Sequence, residues 1–153
     1  MESRPPSASA TETVQLVLPG NANPHGTVFG GRVVMWIDLV ASMAAQRHSR
    51  QVVVTAAIDA MAFLEPIDVG DYAVLNARVN RTWETSMEVE VHVEAEHPLT
   101  GRRRHSASAF LTFVALDEEG RPTPVRPIEP ETDDEWACWR DAEARRQARL
   151  AAR

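Results

Sequence analysis

The feature that most constrains this chain is residues 31–47, GRVVMWIDLVASMAAQR, where apolar side chains occupy nearly every face of a helix. Val33, Val34, Met35, Trp36, Ile37, Leu39 and Val40 leave no polar stripe over its first three turns. A helix that is apolar all round is normally buried on all sides. The run is too short for the ~20 apolar residues of a comfortable membrane span. It therefore predicts a central helix with the rest of the domain wrapped around it.

The remaining sequence supplies the wrapping. Residues 11–18, TETVQLVL, alternate polar and apolar and read as a first strand. Pro19-Gly20-Asn21 ends it, and NANPHGTVFGG at 21–31 is a loop rich in turn formers. After the helix, residues 51–64, 71–81, 86–95 and 104–116 read as strands. In the third of these, Met87, Val89, Val91, Val93 and Ala95 point one way. Ser86, Glu88, Glu90, His92 and Glu94 point the other, which predicts a half-buried strand. The last strand is apolar on both faces and belongs in the interior of the sheet. Short connections favour antiparallel pairing. An early buried helix followed by a long antiparallel sheet gives an α+β domain, the sheet rolled round the helix.

With 153 residues the chain is expected to form one domain over residues 11–124, with additions at both ends. Residues 1–10, rich in Ser, Pro and Ala, read as a disordered tail. No apolar core of a secretory signal precedes Glu12, so the cytoplasm is the expected location. Residues 125–153 read as a proline-rich linker and a C-terminal helix. Thr132-Asp133-Asp134-Glu135 is a capping box, with Thr132 as N-cap. Acidic residues at the start and Arg145, Arg146, Arg149 and Arg153 at the end complement the helix dipole. Trp136 and Trp139 are expected to dock this helix on the domain or on a neighbouring subunit.

Composition narrows the chemistry. A net charge of -6 argues against a nucleic-acid binder. All sixteen basic residues are arginine, so Schiff-base catalysis by lysine is excluded. Cys138 is the single cysteine, which fits a reducing compartment and lacks the setting of a nucleophile. The histidines show no metal-ligand spacing. His25, in the loop before the helix, has no carboxylate partner at useful spacing and is not taken as a base.

Asp38 is the conspicuous polar residue. It sits in the middle of the apolar helix, where a carboxylate is costly without partners or a task. A bond to a nearby loop or subunit is the plain reading; a general base whose pKa is raised by burial is the functional one. Gly30 and Gly31 open the helix, where free N–H groups favour an oxyanion, although Gly is common in any such loop. Gly31 and Asp38 share a face but stand roughly 10 Å apart along the axis. One small reacting group cannot easily touch both within one chain. A two-fold dimer solves this by pairing the helix start of one subunit with the aspartate of the other.

The run N-A-N-P-H-G-T-V-F-G-G-R-V-V-M-W-I-D resembles the signature of hotdog-fold acyl-CoA thioesterases, in the branch of bacterial short-chain thioesterases and animal cytosolic acyl-CoA hydrolases. Further matches follow in order: Val53-Val54-Thr55, Phe63, Pro66-Ile67, Gly70-Asp71, Thr85-Ser86-Met87 and Phe113-Val114-Ala115-Leu116-Asp117. They span about residues 11 to 124. The resemblance implies a hotdog fold and hydrolysis of acyl-CoA to a fatty acid and CoA, without cofactor or metal. It implies that Asp38 is general base or nucleophile, that Asn23 binds the thioester or its water, and that the Gly30-Gly31 backbone polarises the carbonyl. Phe29, Thr55 and Ser86 are further candidates for contact with substrate. Arg104, in the run Arg102-Arg103-Arg104, and the terminal arginines are candidates for the CoA phosphates, against the plainer reading of a solvated charge run. The chain departs from the pattern where Trp83 and Glu84, rather than glycine, lead into Thr85, which bears on the nearby CoA or acyl channel.

The expected partners are acyl-CoA and a second copy of the chain, with a trimer of dimers as the larger assembly; neither nucleic acid nor membrane is expected. Two other readings stand beside this one. A non-catalytic acyl-CoA-binding module would need an output domain, for which the tail before Thr11 leaves no room. A hotdog acyl dehydratase would want a histidine near the apolar helix, and His25 and His48 are poorly placed for that.

Overall fold

Helix α1 (Gly30–Ser49) is the axis of the molecule in the computed structural model, which describes Met1–Arg153. Val33, Trp36, Ile37, Val40, Ala41, Ala44, Ala45 and His48 are buried at the three- and four-residue spacing of one helical face, and Ser49 is buried at its end. The four strands after it are β2 (Val52–Ile58), β3 (Tyr72–Thr82), β4 (Ser86–Glu96) and β5 (Arg103–Leu116). With β1 (Thr11–Leu16) they form one antiparallel sheet in the order β1-β3-β4-β5-β2. Strand β5 is interior, as its two apolar faces require, while β1 and β2 are the edges.

The sheet curls round α1. Its inner face carries Leu75 and Val79 on β3, Met87 to Ala95 at alternate positions on β4, and Leu111 and Phe113 on β5, all buried. Alanines at 41, 44 and 45 on the helix and at 73, 77, 107, 109 and 115 on the strands let the two layers approach closely. The register shifts in three places, near Ala56, Asn80 and Ser106. Such bulges bend a strand and increase its twist, which is what closes the sheet on the helix.

The chain ends differ from the sequence reading. The tail expected to be disordered is docked: Pro6–Ser9 form a 3-10 turn. Ser9 Oγ accepts the Val79 N–H at 2.8 Å and donates to the Pro6 carbonyl at 2.7 Å. Arg4 pairs with the C-terminal linker through its N–H to Pro127 and its carbonyl from Glu129. Ser9 reaches the Val79 N–H of β3 just before the β1 pairing begins at Thr11 and Ala77, a role invisible in a Ser-Pro-Ala composition. The linker runs extended, with Val125 and Ile128 in the core.

Helix α2 (Asp133–Ala151) begins with the capping box: Thr132 Oγ1 accepts the Glu135 N–H, and Glu135 Oε1 accepts the Thr132 N–H, both at 3.1 Å. It packs on the outer face of the sheet. The alternating face of β4, expected to meet solvent, is therefore covered, and Glu88 and Glu90 are buried.

Two more corrections bear on the site. The strand expected over 51–64 ends at Ile58, and only Phe63 returns to bridge Ala107. Helix α1 is not buried on all sides within one chain: Met35 and Leu39 are about half exposed, at 49% and 50%. That open face runs beside the β2 edge. No helix is long and apolar enough to cross a membrane.

Candidate active site

The loop before α1 is built by its own polar side chains. Asn23 Oδ1 accepts the N–H groups of His25 and Thr27, and its Nδ2 donates to Thr27 Oγ1 at 2.8 Å. Gly26 takes a positive φ of 81°, which a side chain would resist. The Val28 N–H to Ile67 carbonyl bond, at 2.8 Å, ties the loop to the segment before β3. The loop thus delivers Phe29 as the N-cap of α1.

Phe29 offers no polar cap. The N–H groups of Arg32 and Val33 turn back to the Phe29 carbonyl, whereas those of Gly30 and Gly31 have no partner in the chain. Two free donors at the positive end of a helix form a site for a carbonyl oxygen or oxyanion. Nothing lies within 4 Å of where a Gly31 Cβ would stand, so the space before the donors is open. Beside it, Thr27, Val28, Gly30, Phe63 and Pro66 line a cleft of about 350 Å³. Phe63 in this cleft and Phe29 at the N-cap are each 50% exposed.

Two turns along, Asp38 is half buried. Its Oδ1 accepts the Thr55 hydroxyl at 2.6 Å. No arginine or histidine pairs with it. Thr55 faces inward because it pairs with Phe113, whose side chain is in the core. The carboxylate is thus held by one hydroxyl and left with free lone pairs beside the open face of α1. Such a group can take a proton from water.

The other candidates do not all converge here. Arg104 is bound to Asp71 at 3.0 Å and to the Pro66 carbonyl at 3.1 Å. One guanidinium nitrogen makes both bonds and holds the segment before β3, away from Asp38. Ser86 pairs with Val114 at the start of β4 and receives Arg146 at 3.4 Å, on the outer face rather than near Asp38. His25 is exposed and bonds only through its backbone N–H. Cys138 lies under the Arg78 guanidinium at 3.3 Å, and burial pushes its thiol up.

Sequence reasoning missed the polar network beneath α2. Arg145 grips both oxygens of Glu88, at 2.9 and 2.7 Å, and Asn80 bonds to Glu88 and Glu90. Glu90 also pairs with His92. Burial by itself would raise the Glu90 carboxyl, but hydrogen bonds from His92 and Asn80 outweigh it and hold the pKa at about 2. The same contact raises His92. The available signal was the i, i+4 spacing of Arg145 and Arg149, which puts two cations on one helical face.

Known proteins resemble this chain in sequence and in fold. The thioesterase superfamily pattern matches residues 25–101. The uncharacterized acyl-CoA thioester hydrolase YkhA of Bacillus subtilis is 46% identical over 119 residues, covering 78% of this chain and 69% of the relative. The human cytosolic acyl coenzyme A thioester hydrolase is 39% identical over 84% of this chain, which spans about a third (34%) of that relative's length. The crystal structure of an apo-hexameric acyl-CoA thioesterase superposes with a TM-score of 0.95 at 41% identity, covering 99% of this chain and 97% of that one. An acyl-CoA hydrolase of Staphylococcus aureus, solved with butyryl coenzyme A, coenzyme A and coenzyme A disulfide, gives 0.92 at 35% identity, over 99% and 92% of the two chains. That protein is also known as alanine variants of an asparagine, an aspartate and a threonine, spaced along its chain as Asn23, Asp38 and Thr55 are here.

Proposed function

Because the chain belongs to the thioesterase superfamily, with the hotdog fold and acyl-CoA thioester hydrolase activity of its relatives, we propose that Asp38 is its general base and that two copies share each active site. The observation that carries this reading is the Asp38–Thr55 bond at 2.6 Å on the open face of α1. Thr55 orients the carboxylate, and one Asp38 oxygen takes a proton from water. The resulting hydroxide adds to the thioester carbonyl carbon, whose oxygen gains charge between the Gly30 and Gly31 N–H groups. The C–S bond then breaks, and the proton passes to the departing thiolate. Asn23 borders the carbonyl by releasing its bond to Thr27.

Separation along the helix argues for the second copy. Seven residues of helix place Asp38 roughly 10 Å from Gly31. A two-fold pair of chains brings the helix start of one against the aspartate of the other. The same pairing covers Met35 and Leu39 and extends the sheet across the β2 edge. It gives the open face of an otherwise apolar helix its occupant. Hexameric relatives support a trimer of such dimers, and cytosolic relatives support the cytoplasm as the location.

The test is release of free thiol from acyl-CoAs of graded chain length. Hydrolysis is expected with the native chain and is lost in Asp38→Asn at unchanged circular dichroism. Hydrolysis by the variant at the native rate contradicts the assignment.

A further inference from the structure

We propose that Ser108 is a second nucleophile of this chain, activated by His92 and Glu90 on the outer face of the sheet, and that it takes small activated carboxylic esters. The thioesterase reading uses none of these residues, and the proposal does not rest on it.

The side chains meet across β4 and β5. His92 and Ser108 stand opposite each other in the register, with His92 Nδ1 3.0 Å from Ser108 Oγ. The other ring nitrogen of His92, Nε2, contacts Glu90 Oε1. Glu90 is buried, and its second oxygen accepts Asn80 Nδ2 at 2.8 Å. With a pKa of about 2, this carboxyl is ionised wherever the protein works. From β5, His105 Nε2 reaches Ser108 Oγ at 2.8 Å and the Ala107 carbonyl at 3.1 Å.

These partners fix where the protons lie. A carbonyl only accepts, so His105 Nε2 carries its proton and donates to the Ala107 and Ser108 oxygens. The ionised Glu90 also only accepts, so His92 Nε2 carries a proton and, in the neutral ring, Nδ1 is bare. The Ser108 hydroxyl accepts from His105 and donates to His92 Nδ1. That is the proton order of a serine–histidine–carboxylate triad, which is recognised by roles rather than by chain positions. The two ring nitrogens exchange places relative to the usual triad, which leaves the path of the proton unchanged. Cross-strand pairing by itself explains a polar contact between His92 and Ser108. It supplies neither the buried carboxylate behind the ring nor the second histidine that turns the hydroxyl proton towards His92.

A small ester can reach the group, because Ser108 is half buried and His92 and His105 are exposed. Beside His92 a cleft of about 340 Å³, lined by Thr11, Asn76 and Arg78 among others, gives room for the alcohol part. Ser108 Oγ adds to the ester carbonyl carbon while its proton passes to His92 Nδ1, and Glu90 offsets the charge of the ring. The carbonyl oxygen gains charge next to the His105 Nε2–H. The ester C–O bond breaks, His92 gives the proton to the departing alkoxide, and the acyl group stays on Ser108. Water then adds to the acyl-serine and loses a proton to His92. The acid departs as Ser108 takes that proton back. One donor for the oxyanion restricts the site to esters with a stable leaving group, such as aryl esters.

The test treats the full chain with a fluorophosphonate, which loses fluoride to an activated serine, and locates the modified peptide by mass. The label is expected on Ser108 and is lost in Ser108→Ala. In His92→Asn its rate is expected to fall roughly a hundredfold, the lower end for loss of a general base. Labelling should grow as His92 loses its proton, above pH 6.5 because Glu90 raises it. The groups facing that ring are Glu90 and Glu94 of β4, Arg78 of β3, His105 of β5, and Asp134 and Cys138 of α2. Turnover of p-nitrophenyl acetate forms the second arm, measured in Asp38→Asn and expected to be lost when Ser108→Ala is added. Label on another residue, no label, or ester turnover that survives Ser108→Ala overturns the proposal. The label is read at Ser108 itself, so a failure of the Asp38 reading leaves this result standing.

Discussion

On the outer face of the sheet, Glu88 is fully buried, both its oxygens held by Arg145 with Asn80 alongside. On the inner face, Asp38 is half exposed and holds a single hydroxyl, Thr55. Burial and task are thus separated between the two faces. The more deeply buried carboxylate is the better satisfied one, and its partners leave it no lone pair for chemistry. The less buried one keeps free lone pairs where water and a second chain can approach. If Asp38 is the base, as proposed, the contrast makes partner count, rather than depth, the mark of a reacting carboxylate.

The comparison breaks most visibly at Asp38. Asp38→Asn is expected to lower kcat by roughly a thousandfold, within the range for loss of a general base. Its urea midpoint is expected to match the native chain or exceed it, because no buried partner loses its bond. A large loss of stability would place Asp38 among the structural carboxylates.

Glu88→Gln is the converse case. It removes the carboxylate charge gripped by Arg145, which is itself partly exposed, and is expected to cost about 1–3 kcal/mol in urea unfolding. The folded fraction should keep its specific activity. Loss of activity without loss of stability would connect the outer network to the chemistry.

The Glu90–His92 pair gives the comparison a pH dependence. The folded pKa of Glu90, about 2, lies below its ordinary 4.5, so its contribution is present above about pH 4.5 and lost as pH falls through about 2. His92 is raised above 6.5, so its contribution is present below 6.5 and lost as pH rises through the raised value. Stability lost in Glu90→Gln, roughly 2 kcal/mol, should therefore be greatest between about pH 4.5 and 6.5 and shrink on either side. Denaturation curves across pH 2 to 9 measure it, and a flat difference contradicts the pairing.

The smallest effect concerns the cap that seats α2. Thr132→Ala should cost about 1 kcal/mol and Thr132→Ser almost nothing, read as shifts in thermal midpoint. Equal losses in both would mean that the hydroxyl is not the cap.

Much of this was legible in the sequence where one residue type forces one structure. The capping box at Thr132 fixed the start of α2, and the two apolar faces of β5 placed it inside the sheet. What was not legible depends on partners distant in the chain. The Glu88 face of β4 has the alternation of a solvated strand, and nothing local tells that α2 covers it. Ser9 reads as tail composition, yet its hydroxyl satisfies a buried N–H seventy residues away. Arg104 reads as part of a charge run, but Asp71 folds back to meet it. At the site, Asp38 and Thr55 could each be singled out, whereas their contact depends on the register of β2 against β5. The open face of α1 shows the same limit from the other side. An apolar face that the chain itself leaves half exposed has the sequence pattern of a core.

The sharing of one site by two chains is tested most directly by complementation between Asp38→Asn and Asn23→Ala. Each variant alone is expected to be nearly inactive. In equal co-expression about half of the dimers are mixed, and in each mixed dimer one site combines an intact Asn23 with an intact Asp38 from different chains. The shared-site account predicts recovery of about a quarter of the native rate. Activity no higher than the mean of the two variants would contradict it and return both residues to a single chain.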